Sequence, residues 1–283
     1  MATERVSTIK SSGGHYTTLT AWEADFGAAG GVTSSDLVSN DEIAVAEIHY
    51  SFSASVAVSG WTMDSTRYAW LRPAAGLGHG GDPSSGILLS NDSTLGCIRW
   101  VDGIRVSDLR FDDTVSSGTV DGVLKIRTKT SGQLALVERC IIQPVLGTSL
   151  AITCPTGTST NTKIINTLVY GMNRGVSADT TSDAEVLNCT IVDCGDRGHL
   201  RTVVKNTFVY GHTTGDYFSP STGSTNYASS DTTGSAGLQS LTSAEFNNYA
   251  GGDYSLAETS NLIDAGVDLS GTFTDDIAGN TRS

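Results

Sequence analysis

Several features that commonly mark a class of protein are scarce in this chain of 283 residues. It has only 5 prolines, and charged residues make up 17% of the chain. No run approaches the roughly 18 apolar residues of a membrane span. The opening residues, MATERVSTIKSS, lack the apolar segment of a secretory signal. We therefore expect a protein that folds in a cytoplasm, without a signal peptide and without a membrane partner.

A disulfide framework and a basic surface are also not expected. The five cysteines form an odd set without a Cys-x-x-Cys pair, which favours reduced thiols: Cys97, Cys140, Cys154, Cys189 and Cys194. The 17 basic residues stand against 30 acidic residues and give a formal net charge of −13. Such a surface repels phosphate backbones, so the composition argues against nucleic acid as a partner.

What the chain does contain is a repeated pattern. Residues 164–171 read IINTLVYG, and residues 204–211 read VKNTFVYG. Both place apolar or small residues at positions i, i+3 and i+5. The same template fits copies that start at Val106, Val137 and Val186, and a further copy, VSGWTM, starts at Val58. Repetition of this kind is the signature of a solenoid.

The spacing predicts a corner in each copy. Residues i+3 and i+5 share one face of a strand, whereas residue i has the opposite parity. All three can therefore point inward only if the backbone bends between them. The bend falls at i+2, where most copies carry a residue that tolerates a left-handed backbone, and Arg139 departs from this pattern. The other predicted corner residues are Gly60, Asp108, Asn166, Asn188 and Asn206.

Short strands joined by tight corners predict an all-β solenoid, a parallel β-helix. Such a coil needs covered ends. We expect one structural domain with an N-terminal cap over residues 1–30, the coil over 31–228 and an irregular C-terminal cap over 229–283. In the first cap, Thr20 and Glu23 predict a capping box for a short helix whose apolar face is Leu19, Trp22 and Phe26. In the last, Leu256, Leu262 and Ile263 are placed to cover the final turn, for which Asn226 is a weak candidate corner.

Two segments carry a resemblance. The tail DYSLAETSNLIDAG … TDDIAGNTR, from Asp253 to Arg282, resembles the closing segment of right-handed parallel β-helix proteins of the pectin-lyase-like type. The front, STIKSSGGHYTTLTAWEA with DEIAVAE and VAVSGWTMDSTRYAWLRPAAG, is similar to the opening of a β-helix group common among phage and environmental sequences. The resemblance implies the right-handed coil and its caps, and it carries little information about chemistry.

The candidate catalytic residues lie in one stretch, VDCGDRGH. A glycosidase needs two carboxyl groups in different protonation states, and Asp193 and Asp196 can form such a pair with Arg197 or His199 tuning their charge. The alternative is a solvated turn in which Asp and Gly make the corner and Arg197 neutralises the acids. A second acidic pair, Asp112 and Asp113, is interpreted as a hydrated strand end.

Comparison with polygalacturonase-like enzymes argues against that activity. Gly78-His79-Gly80 precedes the acidic pair instead of following it, and the basic pair Lys125-Ile126-Arg127 is reversed. The five histidines show no spacing typical of zinc, so neither a metal nor a cofactor is expected. Tyr170 and Tyr210 occupy equivalent places in the coil and predict an outward aromatic stripe. The stripe would bind a glycan, pack beneath a loop or contact a neighbouring subunit.

Three functions follow as hypotheses. The first is a non-enzymatic bacteriophage virion protein, a head-decoration, fibre-like or tail-associated component that is assembled in the host cytoplasm. It would contact other virion proteins and itself, as a homotrimer. The second is a polysaccharide lyase or glycosidase, free or as a phage depolymerase that acts on acidic glycans. It requires the four aspartates to project into one groove. The third is a carbohydrate-binding adhesin, for which Tyr170 and Tyr210 should be exposed in line.

Overall fold

A computed structural model shows a coil of short strands. It describes residues 2–25, 32–91, 93, 96–100, 103–114, 122–126, 133–144, 149–154, 161–178, 184–218, 228–229, 238 and 240–282. Within these residues there are two short α-helices, α1 (Leu19–Ala24) and α2 (Leu37–Asn40), and two single-turn 3-10 helices, Ser243–Glu245 and Tyr249–Gly251. The strands are β1 (Thr3–Ile9), β2 (Glu42–Ile48), β3 (Phe52–Ser53), β4 (Val56–Val58), β5 (Ala69–Pro73), β6 (Leu88–Asn91), β7 (Ile98–Trp100), β8 (Ile104–Ser107), β9 (Arg110–Asp113), β10 (Leu124–Ile126), β11 (Ala135–Glu138), β12 (Ile141–Pro144), β13 (Leu150–Cys154), β14 (Thr162–Ile165), β15 (Leu168–Tyr170), β16 (Arg174–Ala178), β17 (Glu185–Leu187), β18 (Thr190–Val192), β19 (Arg197–Leu200), β20 (Val203–Lys205), β21 (Phe208–Tyr210), β22 (Gly215–Phe218), β23 (Ala228–Ser229), β24 (Phe246–Asn248) and β25 (Asp253–Leu256).

Three parallel sheets form the sides of the coil. In the part of the chain that the structure describes, the first sheet runs β1-β2-β5-β8-β11-β14-β17-β20. The second runs β4-β7-β10-β13-β16-β19-β22, and the third runs β3-β6-β9-β12-β15-β18-β21-β23. From β2 to β22, each turn of the chain contributes one strand to each side, and β1 and β23 add one strand each to the first and third sheets. The protein is therefore an all-β, right-handed parallel β-helix, as the sequence predicted.

The register of the strands confirms the repeat alignment. Across the first sheet, the i positions of successive turns lie in register, each paired with the next, in the order Val106, Val137, Ile164, Val186 and Val204. In the third sheet the i+5 positions pair in the same order, from Phe111 to Val209. These inward positions have no exposed surface and belong to one core that runs along the coil axis. Because side chains of similar size stack on one another in successive turns, the core is packed without gaps along the coil.

The corner residues follow the strands of the first sheet. The backbones of Asp108, Arg139, Asn166, Asn188 and Asn206 have φ values of 58°, 45°, 49°, 53° and 47°. Their amides continue the ladder of the sheet, as where Asn166 N donates to Leu187 O at 3.1 Å. Left-handed backbone is costly for most residues, and short amide side chains reduce that cost by bonding locally.

Gly60 does not belong to this column. It has φ of 78°, but it follows β4, which pairs with β7 in the second sheet. The alignment of VSGWTM with the other copies was therefore wrong. The strand of the first sheet in this region is β5 and not β4, and Leu71 of β5 is the residue in register with Val106.

The N-terminal segment also differs in detail from the expectation. Helix α1 begins at Leu19, and its N-cap is Thr18, whose hydroxyl accepts from Ala21 N at 3.1 Å. The predicted capping box of Thr20 and Glu23 is wrong, because Glu23 instead accepts from Ser59 N at 3.3 Å. This start places Leu19 and Trp22 on the buried face, and Phe26 lies outside the described residues. Strand β1 already pairs with β2, so the coil extends into the segment assigned to a cap.

Candidate functional site

The acidic stretch after β18 is held by partners on two sides. Asp193 has φ of 52° and forms the next bend of the chain. Its carboxylate accepts a hydrogen bond from the Tyr249 hydroxyl. Asp196 forms an ion pair with Arg174, whose Nε lies 2.6 Å from Asp196 Oδ2. The two candidate acids are therefore each committed to a different neighbour.

The pKa shifts of Asp196 and Tyr249 are those expected of side chains that are bonded within the structure. Partial burial alone would raise the pKa of Asp196, but hydrogen bonds from Arg174 and Thr214 outweigh it and hold the pKa below its ordinary value. Burial, followed by the bond to Asp193, raises the pKa of the Tyr249 hydroxyl. Arg197 and His199 lie in β19, where His199 pairs with Val176 of β16, and the side chain of His199 lies outside the described part of the chain.

The second acidic pair is buried, so its interpretation as a hydrated strand end was wrong. Asp112 and Asp113 are 5% and 1% exposed. Asp113 accepts from Asn91 Nδ2 at 2.9 Å and from the Ser149 hydroxyl. Asp112 Oδ1 is buried without a hydrogen-bond partner, and burial raises the pKa of this carboxyl. Asn91 belongs to β6 and Ser149 directly precedes β13, so Asp113 bonds to the turns on both sides of its own.

The four aspartates do not meet in one groove. Asp113 lies at the end of β9, in register with Pro144 of the next turn, and Asp193 follows β18, three strands farther along the sheet. At about 4.8 Å per strand, their backbones lie about 14 Å apart. The carboxyl groups of a glycosidase lie roughly 6.5–9.5 Å apart in inverting enzymes and about 5–5.5 Å apart in retaining enzymes. The geometry that the enzyme hypothesis required is therefore not formed between the two pairs.

Tyr170 and Tyr210 lie beneath the C-terminal segment. Both pack on an outer apolar cluster around Val192, Phe208 and Phe246. The ring centroid of Tyr170 is 5.2 Å from that of Tyr254, and the ring of Tyr210 is 5.2 Å from Tyr249 in an edge-to-face arrangement. The equivalent tyrosines thus seat the hairpin of β24 and β25 on the coil. Of the three roles considered for them, packing beneath a loop is the one that these contacts provide.

The corner column forms a ladder of polar side chains. Asn188 Nδ2 donates to Asn166 Oδ1 at 2.5 Å. Lower in the column, Arg139 bonds Asp108 through two nitrogens, Nε at 2.7 Å and Nη2 at 3.0 Å. Arg139 is also bonded through its carbonyl, which lies 2.7 Å from His79 Nε2. This network stabilises a left-handed arginine that the residue pattern alone did not favour.

The C-terminal strap, residues 262–282, runs along this ladder. At its start, Asn206 Nδ2 donates to Val267 O at 2.7 Å, and Val267 N donates back to Asn206 Oδ1 at 2.8 Å. Farther on, Asp275 accepts from Arg139 Nη1 at 2.5 Å, and its carbonyl accepts from Asn166 Nδ2 at 2.9 Å. Between these points Leu269 and Phe273 pack on outward residues of the first sheet, namely Leu136, Ile165 and Leu187. The strap therefore clamps successive turns together.

A buried carboxylate anchors the base of the strap. Glu245 is 4% exposed and accepts from Ser260 Oγ at 2.7 Å, from Asn261 N at 2.7 Å and from Asn261 Nδ2 at 3.0 Å. Burial alone would raise the pKa of Glu245, but these hydrogen bonds outweigh it and lower the pKa.

The sequence predicted that Leu256, Leu262 and Ile263 cover the final turn. Leu262 packs on the outer cluster around Phe208, but Leu256 and Ile263 are 39% and 46% exposed, so the prediction is wrong for these two. No signal in the sequence pointed to the partners of Glu245 or Asp275.

The cysteines are part of the core. All five are buried thiols. Burial raises the pKa of Cys154, Cys189 and Cys194 to about 12, so these thiols are held in the protonated form. Among the described residues, no group of three histidine, cysteine or carboxylate side chains is placed to bind a metal. Nor does any helix of that part combine the length and apolar character needed to cross a bilayer.

Comparison of the chain with protein-family models, with curated proteins and with solved structures gave no match.

Proposed function

We propose that the protein is a non-enzymatic structural component of a bacteriophage virion, a head-decoration, fibre-like or tail-associated rod. It contacts other virion proteins and further copies of itself, as a homotrimer. The main observation behind this proposal is that acidic side chains of the coil and the C-terminal segment form structural bonds. Asp193 holds the C-terminal hairpin, Asp196 pairs with Arg174, and Asp275 fastens the strap to Arg139.

The architecture supports a mechanical role. The strands stack in register on three sides, and the strap bonds across turns that are far apart in sequence, from residue 267 at Asn206 to residue 275 at Arg139. A coil tied along its length resists bending and unwinding better than one held only by neighbouring turns. The resemblance of the front segment to phage sequences supports the location in a virion.

One observation favours the enzyme alternative. Burial raises the pKa of the Asp112 carboxyl, and this is the direction that favours a general acid. Its neighbour Asp113 is engaged by Asn91 and Ser149, and Asp193 lies about 14 Å away along the sheet. A lyase or glycosidase would therefore need a second catalytic group other than these. The adhesin alternative has less support, because the C-terminal hairpin packs on Tyr170 and Tyr210.

The experiment is to identify the protein in purified phage particles by mass spectrometry and to assay the isolated protein on acidic polysaccharides. The proposal expects the protein to be a stoichiometric component of the particle. It also expects the isolated protein to show no glycan cleavage that depends on Asp112, as judged with the Asp112→Asn variant. Absence from particles, together with turnover that depends on Asp112, would replace the proposal with the enzyme.

A further inference from the structure

A loop beside the tip of the C-terminal strap is organised around a buried histidine. The loop spans residues 77–87, between β5 and β6, and we call it the 77–87 loop. Its histidine, His79, is 3% exposed. The loop folds back onto this residue, because Asp82 N and Ser85 Oγ both donate to His79 O at 2.9 Å. His79 is therefore a central contact of the loop.

The partners of the imidazole fix its charge state. Gly81 N donates to His79 Nδ1 at 2.9 Å, so this nitrogen must present a lone pair. His79 Nε2 lies 2.7 Å from the carbonyl oxygen of Arg139, which can only accept, so Nε2 carries the proton. The ring is thus bonded on both sides as the neutral tautomer. A second proton, on Nδ1, would point at the Gly81 N–H, and the hydrogen bond between them would be lost.

The charges around His79 also favour the neutral ring. Burial lowers the pKa of His79 below its ordinary value. The bond to the Arg139 carbonyl and the carboxylate of Asp108 oppose this shift, and the guanidinium groups of Arg110 and Arg139 add to it. Asp108 is itself bonded to two nitrogens of Arg139. The remaining charged groups at this site interact with the two arginines, Glu138 and Asp275 with Arg139 and Asp82 with Arg110.

The 77–87 loop and the strap hold Arg139 from two sides. His79 bonds the Arg139 carbonyl, and Asp275 Oδ2 of the strap lies 2.5 Å from Arg139 Nη1. Beyond Asp275, the strap lies against the loop, since a Cβ built on Gly81 would be 3.5 Å from Ala278 Cβ. Gly81 is also the residue whose N–H bonds the imidazole. A movement of Gly81 therefore removes part of the surface on which the tip of the strap packs.

We propose that His79 is an acid-sensitive switch for the strap, in which a second proton on the ring opens the 77–87 loop at Gly81 and releases the strap tip. The proton comes from solvent and binds Nδ1 once the Gly81 N–H has moved away. The strap keeps its bonds to Asn206 and its anchor at Glu245, so release begins at the tip. This switch goes beyond the proposed function and does not depend on it.

The direction and range of the pH dependence follow from these contacts. In the open loop the ring regains its ordinary pKa of about 6.5, whereas in the closed loop the pKa of His79 is lower. The open state therefore binds more protons. Its population rises as pH falls below about 6.5, by up to about tenfold for each pH unit, until the pKa of the closed loop is reached. The Glu245 carboxylate, with its lowered pKa, loses its contribution only below about pH 4.3, so the two anchors respond in different ranges.

The test is limited proteolysis of the strap at about pH 7.5 and about pH 5.5, on either side of the ordinary histidine pKa. Each cleavage rate is divided by that of a free peptide of residues 262–282 at the same pH, which removes the pH dependence of the protease. Wild type should then be cleaved about tenfold faster at the lower pH. His79→Gln can still donate to the Arg139 carbonyl but cannot be protonated, so its rate should be raised and equal at both pH values. His15→Gln, the same change at an exposed histidine, should behave as wild type.

A wild-type rate that does not change with pH would overturn the proposal, as would a His79→Gln variant that keeps the wild-type pH dependence. A second buried histidine tests the assignment to His79. His212 Nδ1 accepts from Cys194 N at 2.9 Å, its Nε2 lies 3.2 Å from Ile191 O, and burial lowers its pKa as well. His212→Gln should keep the wild-type pH dependence of strap cleavage. Loss of that dependence in His212→Gln, with retention in His79→Gln, would place the switch at the wrong residue and overturn the proposal.

Nuclear magnetic resonance of wild type with isotope-labelled histidine keeps the test valid if His79→Gln does not fold. The His79 ring, assigned by its contact with the Gly81 amide, should be the Nε2–H tautomer at neutral pH. It should take up its second proton only below about pH 6.5, together with a change in the resonances of Ala278. A ring that titrates at its ordinary pKa without any change at Ala278, or that carries its proton on Nδ1, would contradict the switch.

Discussion

Removing the carboxylate of Asp275 tests whether the strap holds the coil together. Asp275→Ala deletes the acceptor of Arg139 Nη1, which lies 2.5 Å from Asp275 Oδ2. The side chains of Arg139 and Asp275 are 17% and 29% exposed, so the bond is largely shielded from water. Arg139 keeps both bonds to Asp108, and Asn166 keeps its bond to the Asp275 carbonyl. The guanidinium therefore does not become an unpaired buried charge.

The loss is that of one charge-assisted hydrogen bond in a partly buried site and of the long bond from Asn166 Nδ2 to Asp275 Oδ1 at 3.3 Å, together about 2 kcal/mol. In a chain of this size the thermal midpoint should fall by about 3 °C. The bond forms only when the strap is in place, so its loss should also raise the equilibrium constant for opening of the strap. A change of about 2 kcal/mol corresponds to roughly a thirtyfold increase. Circular dichroism measures the first effect, and limited proteolysis between the strap and the coil measures the second.

The matched control is Glu258→Ala, which removes a charge from an exposed position of the same C-terminal segment. It should leave both measurements at their wild-type values. Equal midpoints and equal cleavage rates for the two variants would refute the reasoning, because they would show that the bond between Asp275 and Arg139 contributes nothing to the strapped state.

Three further predictions concern other parts of the coil. Asn188→Val should lower the free energy of unfolding by about 2–3 kcal/mol in denaturant titrations, because it removes the hydrogen bond from the Asn188 side-chain amide and places a β-branched residue at φ of 53°. A loss no larger than that of the exposed Asn247→Val would contradict the role of the corner. The lowered pKa of Glu245 means that its contribution is present above its unfolded pKa of about 4.3 and is lost as pH falls through the folded value. Cleavage of the strap should therefore rise with acid in wild type and show a weaker pH dependence in Glu245→Gln, and identical pH profiles would be inconsistent with this anchor. Gly175→Ala should cost about 1–3 kcal/mol, because its Cβ would lie 2.3 Å from Gly198 O, whereas Gly271→Ala has open space around it and serves as the control in the same unfolding measurement.

The repeated turns were predictable because one local rule governs them. Each turn must present the same three inward residues, so the copies at Val106, Val137, Ile164, Val186 and Val204 align by residue type alone, and the strands pair in that register. The early turns do not obey the rule in the same way. Gly60 fits the template, but it bends the chain between different sheets.

The contacts that close the molecule were not predictable, because they join distant segments. Nothing in the residues around Asp275 points to Arg139, which lies 136 positions away. The same holds for Asp193 and Tyr249, 56 positions apart. Isolated acids in a Gly-rich chain look like solvated turns, and only the three-dimensional arrangement shows whether each one is paired. The burial of Asp112 was missed for the same reason.

The most direct test of the whole account is image reconstruction of purified phage particles by electron cryo-microscopy. The account predicts a three-sided rod in the particle, with strands about 4.8 Å apart along its axis and the C-terminal strap on one edge. Particles whose density has no place for such a rod, from a preparation in which the protein is also missing by mass spectrometry, would contradict it.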